Sequence, residues 1–209
     1  MSQSAIIYLL ESKAKISILL YIDAEENMGT FEISGEVLVK YTGNEKEVVI
    51  PAGVKVIGEA AFKECTSLER ITIPKGVEKI GREAFRECSA LKSVKLPDTV
   101  TELGKYAFVD CVSLEEADLG KGLMRLGEYA FYGCSSLKEI VIPEPVTFVG
   151  HWVFSWCVSL EKVTLYGNVT KIGWNFLLGC TKVTVYAPKG SVAEEYAKNN
   201  NHNFVSLEA

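Results

Sequence analysis

The sequence predicts an α/β solenoid, in which short coils of chain stack on one another and share one hydrophobic core. Two observations carry this prediction: the six cysteines of the 209-residue chain recur every 23 residues, and a glycine stands seven residues before each of them. Self-similarity at a fixed period of about 20 to 50 residues is the signature of stacked-repeat folds. We therefore expect one elongated domain. The cysteines are Cys65, Cys88, Cys111, Cys134, Cys157 and Cys180.

Within one coil, the alternation of Ile71 and Ile73 with polar residues predicts a short strand that ends at Pro74. Gly81 then allows a turn, and residues 82–87 are too few for a stable helix, so we expect a single helical or 3₁₀ turn that places Phe85 in the core. No coil can bury its apolar side alone. Equivalent strands of neighbouring coils are therefore expected to form a parallel sheet.

The repeats divide the chain into three parts: an N-terminal segment with a capping hairpin (1–47), an array of about six coils (48–190) and a C-terminal capping helix and tail (191–209). The hairpin is predicted over 31–39, with Ser34-Gly35 in its turn. Ser191 and Glu194 have the spacing of a capping box, which predicts a helix to about Lys198, and 204–207 could extend the last coil. Residues 1–28 fit either an amphipathic helix or a helix followed by a strand over 15–22.

Composition excludes several classes of function. The net charge is −5, and no basic stripe suited to nucleic acid is present. The longest apolar run is about seven residues, far below the roughly 20 of a membrane helix. In residues 1–15 the apolar residues precede the lysines, the wrong order for a secretory signal.

The repeat resembles that of a known family. The pattern that runs from Ile73-Pro74 through Val77, Ile80-Gly81, Ala84-Phe85, Cys88, Leu91 and Val94 to Leu96-Pro97 is similar to the 23-residue leucine-rich repeat of the BspA-like family, and the resemblance covers about residues 48–190. It implies a leucine-rich-repeat solenoid, a right-handed curved superhelix with the parallel sheet on its concave face. It also implies a secreted or cell-surface protein that serves adhesion or protein interaction, although a cytoplasmic location stays open. The repeat departs from the pattern at Gly120 and Tyr166, which replace its proline, and at Val153 and Phe176, which replace its alanine. The last coil is expected to be shorter by about three residues between Cys180 and Val183.

The cysteine column is expected to consist of buried free thiols. Stacked strands are about 4.8 Å apart, a separation that a disulfide tolerates. Parallel side chains, however, do not bring the Cβ atoms to about 3.8 Å. No CxxC motif or histidine cluster accompanies the thiols, so zinc is not expected.

The sequence predicts no catalytic, cofactor-binding or metal-binding residue. The two histidines, His151 and His202, have no nucleophile or metal-ligand motif nearby, and both are expected at the surface. The Glu115-Glu116 pair is expected to be a solvated acidic pair.

Two surfaces are candidates for partner binding. On the concave sheet, the residues that alternate with the inward column should form an acidic centre flanked by basic residues, which would orient a complementary protein. Its charged members are Arg70, Lys95, Glu116, Asp118, Glu139, Lys162 and Lys182.

The second candidate surface is aromatic. The glycines seven residues before each cysteine, here called the column glycines, are Gly58, Gly81, Gly104, Gly127, Gly150 and Gly173. The turns that follow the column glycines contain more tyrosine and tryptophan towards the C-terminus. Such residues are typical of interfaces. The rings could instead pack along the edge of the array against each other or against residues 1–28. The aromatic residues are Tyr106, Tyr129, Tyr132, Trp152, Trp156 and Trp174.

These surfaces favour a non-enzymatic scaffold that binds a protein, with a host or cell-surface protein as the candidate partner. Two alternatives stay open: a carbohydrate-binding module that uses the aromatic edge, and a structural spacer within a larger surface protein.

Overall fold

The structure, a computed structural model, describes residues 5–12, 15–22 and 29–207. Each coil contributes one short strand to each of two sheets. The N-terminal strands are β1 (Ala5–Ser12), β2 (Lys15–Ile22), β3 (Thr30–Ser34) and β4 (Val37–Thr42). The remaining elements in chain order are β5 (Glu47–Val49), β6 (Val56–Ile57), β7 (Arg70–Thr72), β8 (Lys79–Ile80), β9 (Ser93–Lys95), β10 (Glu102–Leu103), β11 (Glu116–Asp118), β12 (Arg125–Leu126), β13 (Glu139–Ile142), β14 (Phe148–Val149), β15 (Lys162–Leu165), β16 (Lys171–Ile172), β17 (Thr184–Pro188), α1 (Val192–Asn199) and β18 (Asn203–Leu207).

The expected parallel sheet is the concave sheet, with the order β18-β17-β15-β13-β11-β9-β7-β5. A second sheet, which the sequence did not suggest, has the order β1-β2-β3-β4-β6-β8-β10-β12-β14-β16. Its array strands are two residues long, such as Lys79–Ile80. The predicted helix is wrong for residues 5–12 and 15–22, since β1 pairs antiparallel with β2 and β2 with β3, whereas the strand over 15–22 is confirmed.

An aromatic spine fills the core. Phe62, Phe85, Phe108 and Phe131 stack with centroids 5.0 to 5.1 Å apart and are fully buried. Each ring repeats the one below it because each coil repeats the same turn. Tyr41 continues the spine towards the hairpin with a 5.1 Å stack on Phe62.

The turns after the column glycines differ from the predicted single helical or 3₁₀ turn. Alternate amides close local turns, such as Ala84 N to Gly81 O (3.4 Å), and the amides between them donate to the next coil, such as Phe85 N to Ala107 O (2.8 Å). This alternation places Glu83 and Glu87 at φ 54° and 60°, whereas a 3₁₀ turn has negative φ throughout.

The column glycines serve close packing between coils rather than a turn. None of the six has a positive φ. A Cβ on Gly104 would lie only 2.6 Å from the carbonyl carbon of Gly81 in the preceding coil. Any side chain at these positions would therefore push neighbouring coils apart.

The predicted caps are present. β3 and β4 form the hairpin, with Gly35 at φ 60° in its turn. At the other end the Ser191 side chain accepts from Glu194 N (3.3 Å), and Glu194 Oε2 accepts from Gly190 N (2.6 Å) rather than from the N-cap amide of an ideal capping box. β18 extends the concave sheet by pairing parallel with β17.

Candidate interaction surfaces

Two outward rows of side chains cover the concave sheet. The first outward row consists of Glu47, Arg70, Ser93, Glu116, Glu139, Lys162 and Thr184, and the second of Val49, Thr72, Lys95, Asp118, Val141, Thr164 and Tyr186. Most of these side chains are exposed, as predicted, but Thr164 is buried.

Lys182 does not belong to the first outward row. The strand register places Thr184 opposite Lys162, and Tyr186 opposite Thr164. The last coil is therefore one residue shorter than the others and not three, and Lys182 lies exposed in the turn before β17. The basic flank at this end consists of Lys162 alone, whose ammonium sits 5.1 Å above the Tyr186 ring.

The basic residues of the outward rows are paired with acidic neighbours on the adjacent strand. Arg70 pairs with Glu47, Lys95 with Asp118 (3.4 Å) and Lys162 with Glu139 (3.8 Å). These exposed pairs are worth little individually, about 0 to 1 kcal/mol. Within the described residues, Glu116 has no ion-pair partner. It is therefore the unpaired carboxylate of the predicted acidic centre, whereas Asp118 and Glu139 beside it are paired.

A third row of charges runs beside the first and alternates strictly in sign. Glu69 accepts from both Lys92 (2.5 Å) and Lys46 (2.9 Å), and these two bonds lower the pKa of Glu69 to about 2. Lys138 continues the row by pairing with Glu115 (3.3 Å). This row compensates its own charge, because each lysine has a carboxylate on a neighbouring coil. Glu115 is exposed, as expected of a solvated acid, and it also pairs with Lys138.

A cavity of about 650 Å³ opens in the concave sheet between β11 and β13. Ala117, Gly120 and Lys121 lie on one side of it, and Val141 and Pro143 on the other. Tyr166, which is 39% exposed, stands at its end. Sequence reasoning missed this site, although two of its residues, Gly120 and Tyr166, are the positions where the repeat loses its proline.

The aromatic edge separates into a stack and two exposed tryptophans. Tyr129 lies between Tyr106 (5.0 Å) and Trp152 (5.8 Å), and Tyr132 tilts against it (5.8 Å). Arg82 covers the other face of the stack with its guanidinium 5.4 Å from the Tyr106 centroid. The four rings are half-buried, so the stack presents ring edges rather than open faces to solvent.

Trp156 and Trp174 are much more exposed, at 49% and 75%. Trp174 leans on His151 (4.8 Å between centroids), and its backbone N–H donates to His151 Nδ1 (2.8 Å). Trp156 lies over Gly179, where an added Cβ would be 3.1 Å from the indole.

The histidines have structural environments. His151 accepts the Trp174 amide as described above, and His202 is half-buried rather than solvent-exposed, because it stacks on Tyr196 at 6.0 Å. Burial lowers the pKa of His202. Within 29–207, no group of three or more His, Cys, Asp or Glu side chains is placed to hold a metal ion.

The cysteine column is built into the contacts between coils. All six cysteines are free thiols, and all but Cys65 are buried. Five of them donate to the carbonyl of a spine phenylalanine or its equivalent in the preceding coil, as Cys134 Sγ does to Phe108 O (3.1 Å). Burial raises the pKa of Cys65 to about 11 and that of Cys180 to about 12, which keeps both thiols protonated.

Sequence comparison agrees with this architecture. A profile of the BspA type leucine-rich repeat region matches six copies over residues 36–77 and 55–184. The chain belongs to this family. A comparison with curated protein sequences gives no significant match.

Solved structures of other leucine-rich repeat proteins show the same fold as this BspA-type chain. The Treponema pallidum leucine-rich repeat protein has a TM-score of 0.58 at 24% identity, over 83% of this chain and 91% of the other. A leucine-rich cell surface protein of Faecalibacterium prausnitzii also has a TM-score of 0.58, at 29% identity, over 81% of this chain but 40% of the other. A Bacteroides ovatus protein matches 99% of this chain and 66% of its own, with a TM-score of 0.52 and 20% identity.

Among the described residues, no helix is long and apolar enough to cross a bilayer.

Proposed function

We propose that the chain is a non-enzymatic scaffold that binds a protein, in adhesion or a related surface interaction, and that the partner lies on the concave sheet. The observation that carries this proposal is the set of exposed charged side chains on adjacent strands, with Glu116 and Asp118 at its centre. Solenoids use such extended surfaces for macromolecular partners. The likeness to the F. prausnitzii cell surface protein supports a location at the cell surface.

A carbohydrate ligand is the second candidate, and one observation favours it: Trp174 is 75% exposed. Sugar rings stack on open aromatic faces, whereas Tyr106 and Tyr129 are covered by their neighbours. The stack therefore contributes contact area to a protein interface more readily than it forms a sugar platform. Trp174 and Trp156 are the residues that a glycan would use.

Capture of cell-surface material on the immobilised intact chain separates the two candidates. Before capture, one portion of this cell-surface material is treated with protease and another with periodate, which destroys sugar diols. The proposal predicts that protease abolishes capture, that periodate leaves it, and that the double variant Glu116→Lys with Asp118→Lys loses it.

The matched variant is Trp174→Ala, which should capture the same material as the unmodified chain. Capture that survives protease, fails after periodate and depends on Trp174 would replace the protein partner with a glycan. A chain that captures nothing in any arm would leave the spacer function.

A further inference from the structure

The cavity between β11 and β13 lies where the concave sheet separates. β9 pairs with β11 through three residues and β13 with β15 through four, but β11 pairs with β13 only at Glu116 and Glu139. Beyond that pair the two strands form no further ladder contact. The ladder between β7 and β9 is also reduced to one pair, and a cavity of about 720 Å³ lies over β7, β9 and β11, but its lining is more polar and the inward residues there, Ile71 and Val94, are larger and buried.

A small residue leaves the space between β11 and β13 open. The inward column holds Ile71, Val94 and Ile140, all buried, but Ala117 at the same position of β11. Ala117 is only partly buried, unlike these three residues. The missing side-chain atoms expose the apolar lining of the cavity to solvent.

The turn after β11 leans away from the cavity. Gly120 has φ +66°, and a Cβ on it would lie 2.8 Å from Leu96 O in the preceding coil. Lys121 N donates to Asp98 Oδ1 of the same coil (2.8 Å). On the other side of the cavity, Asn168 Nδ2 donates a hydrogen bond to Glu144 O (3.0 Å). Each rim is thus bonded away from the other, which keeps the cavity open.

The mouth of the cavity is acidic, and its charge is only partly compensated. Glu116 and Glu139 face each other in the register, and like charges directly opposite on paired strands are unfavourable. Asp118 and Glu144 add two carboxylates to the rim, and Lys121 adds one ammonium group. Lys95 pairs with Asp118 (3.4 Å) and Lys162 with Glu139 (3.8 Å), so among the described residues Glu116 and Glu144 are the carboxylates here without an ion-pair partner. A cation from outside would relieve this repulsion.

We propose that this cavity binds an apolar side chain of a protein partner, and that lysine or arginine residues next to that side chain contact the carboxylates of the rim. The proposal rests on the protein-binding function proposed above and adds the chemistry of the segment that is recognised. Ala117, Ile140 and Val141 contact the apolar group. Glu116 and Glu139 bind the adjacent cations.

The test uses the ¹⁵N-labelled intact chain and three capped hexapeptides, followed by amide NMR shifts. The first peptide has a Leu-Phe pair between two lysines on each side, the second has glutamates in place of the lysines, and the third has Ser-Ser in place of Leu-Phe. The proposal predicts that only the first peptide shifts the amides of Ala117 and Gly120 at millimolar concentration, and that the others bind at least tenfold more weakly.

Ala117→Ile places in the cavity floor the residue that stands at the same position of β7 and β13, which narrows the cavity beside β13, and it should weaken the first peptide at least tenfold. Val49→Ala, on the same sheet but far from the cavity, should change the affinity less than twofold. If Ala117→Ile does not fold, Ala117→Val, which copies β9, replaces it. No shift with the first peptide, equal binding of the glutamate peptide, or binding unaffected by Ala117→Ile would each overturn the proposal. Shifts confined to other outward residues of the concave sheet would overturn the cavity but leave the protein-binding function standing.

Discussion

Replacing Gly104 by alanine should loosen the stack of coils. The new Cβ would lie 2.6 Å from the Gly81 carbonyl carbon and 2.7 Å from Arg82 N, both rigid backbone atoms. Relief requires the coils to separate, which strains the bond from Gly104 N to Ile80 O (2.8 Å). Overpacking of this kind costs about 1–3 kcal/mol. Elsewhere, glycine to alanine gains about 0.4–1 kcal/mol through the unfolded chain.

Urea unfolding followed by circular dichroism measures this loss against two matched variants. Gly167→Ala places its Cβ only against Pro188 Cγ at 3.6 Å, so its free energy of unfolding should stay equal or rise. Gly150→Ala meets its nearest atoms at 3.0 to 3.2 Å and should lie between the two. A Gly104→Ala variant as stable as Gly167→Ala would refute the view that the column glycines exist for close packing.

Three further outcomes are expected. Iodoacetamide should alkylate Cys65 before the buried cysteines. The alkylation rate of Cys65 should rise about tenfold for each pH unit between pH 8 and 10, because its pKa is raised to about 11 and the reactive thiolate forms only as the pH approaches that value. Peptide mass spectrometry measures this rate, and a rate independent of pH would contradict the prediction. Trp152→Ala should lower the free energy of unfolding by about 1–2 kcal/mol by breaking the stack, and Trp174→Ala by under about 0.5 kcal/mol, in urea titrations; equal losses would contradict the assignment of Trp152 to the stack. Ser191→Ala should cost α1 about 1 kcal/mol, seen as faster hydrogen exchange of the helix amides, with exchange in β13 unchanged.

The buried positions could be predicted from the sequence, because every coil must present the same side chain to the same neighbours. The phenylalanine, cysteine and glycine positions of the repeat, as at Phe85, Cys88 and Gly81, recur for this reason. The second sheet could not be predicted, since a pair such as Lys79–Ile80 is too short to show a period. The positive φ angles in these turns could not be predicted, because the residues that adopt them, such as Glu83 and Glu87, are not glycines.

The surface was predicted less completely than the core. The outward positions of the concave strands follow from alternation, and most are exposed as expected. The register of the last coil depends on one missing residue, which the sequence alone places ambiguously, and this ambiguity misplaced Lys182. The ion pairs that cross between coils, such as Lys95 with Asp118, depend on strand register and were not foreseen.

The cavity beside Ala117 allows a test of whether a departure from the repeat is retained for ligand binding or has no functional role. Ala117→Ile would bury about three more carbon atoms in a column that already accommodates Ile71 and Ile140, and each buried CH₂ is worth about 0.8 kcal/mol. After side-chain ordering, the free energy of unfolding should rise by about 1 kcal/mol in urea titrations. A gain in stability together with loss of the lysine-flanked peptide would mean that Ala117 is retained at a cost to the fold, as expected of a residue kept for binding. A loss of stability would show that the gap is a packing requirement of the turn at Gly120.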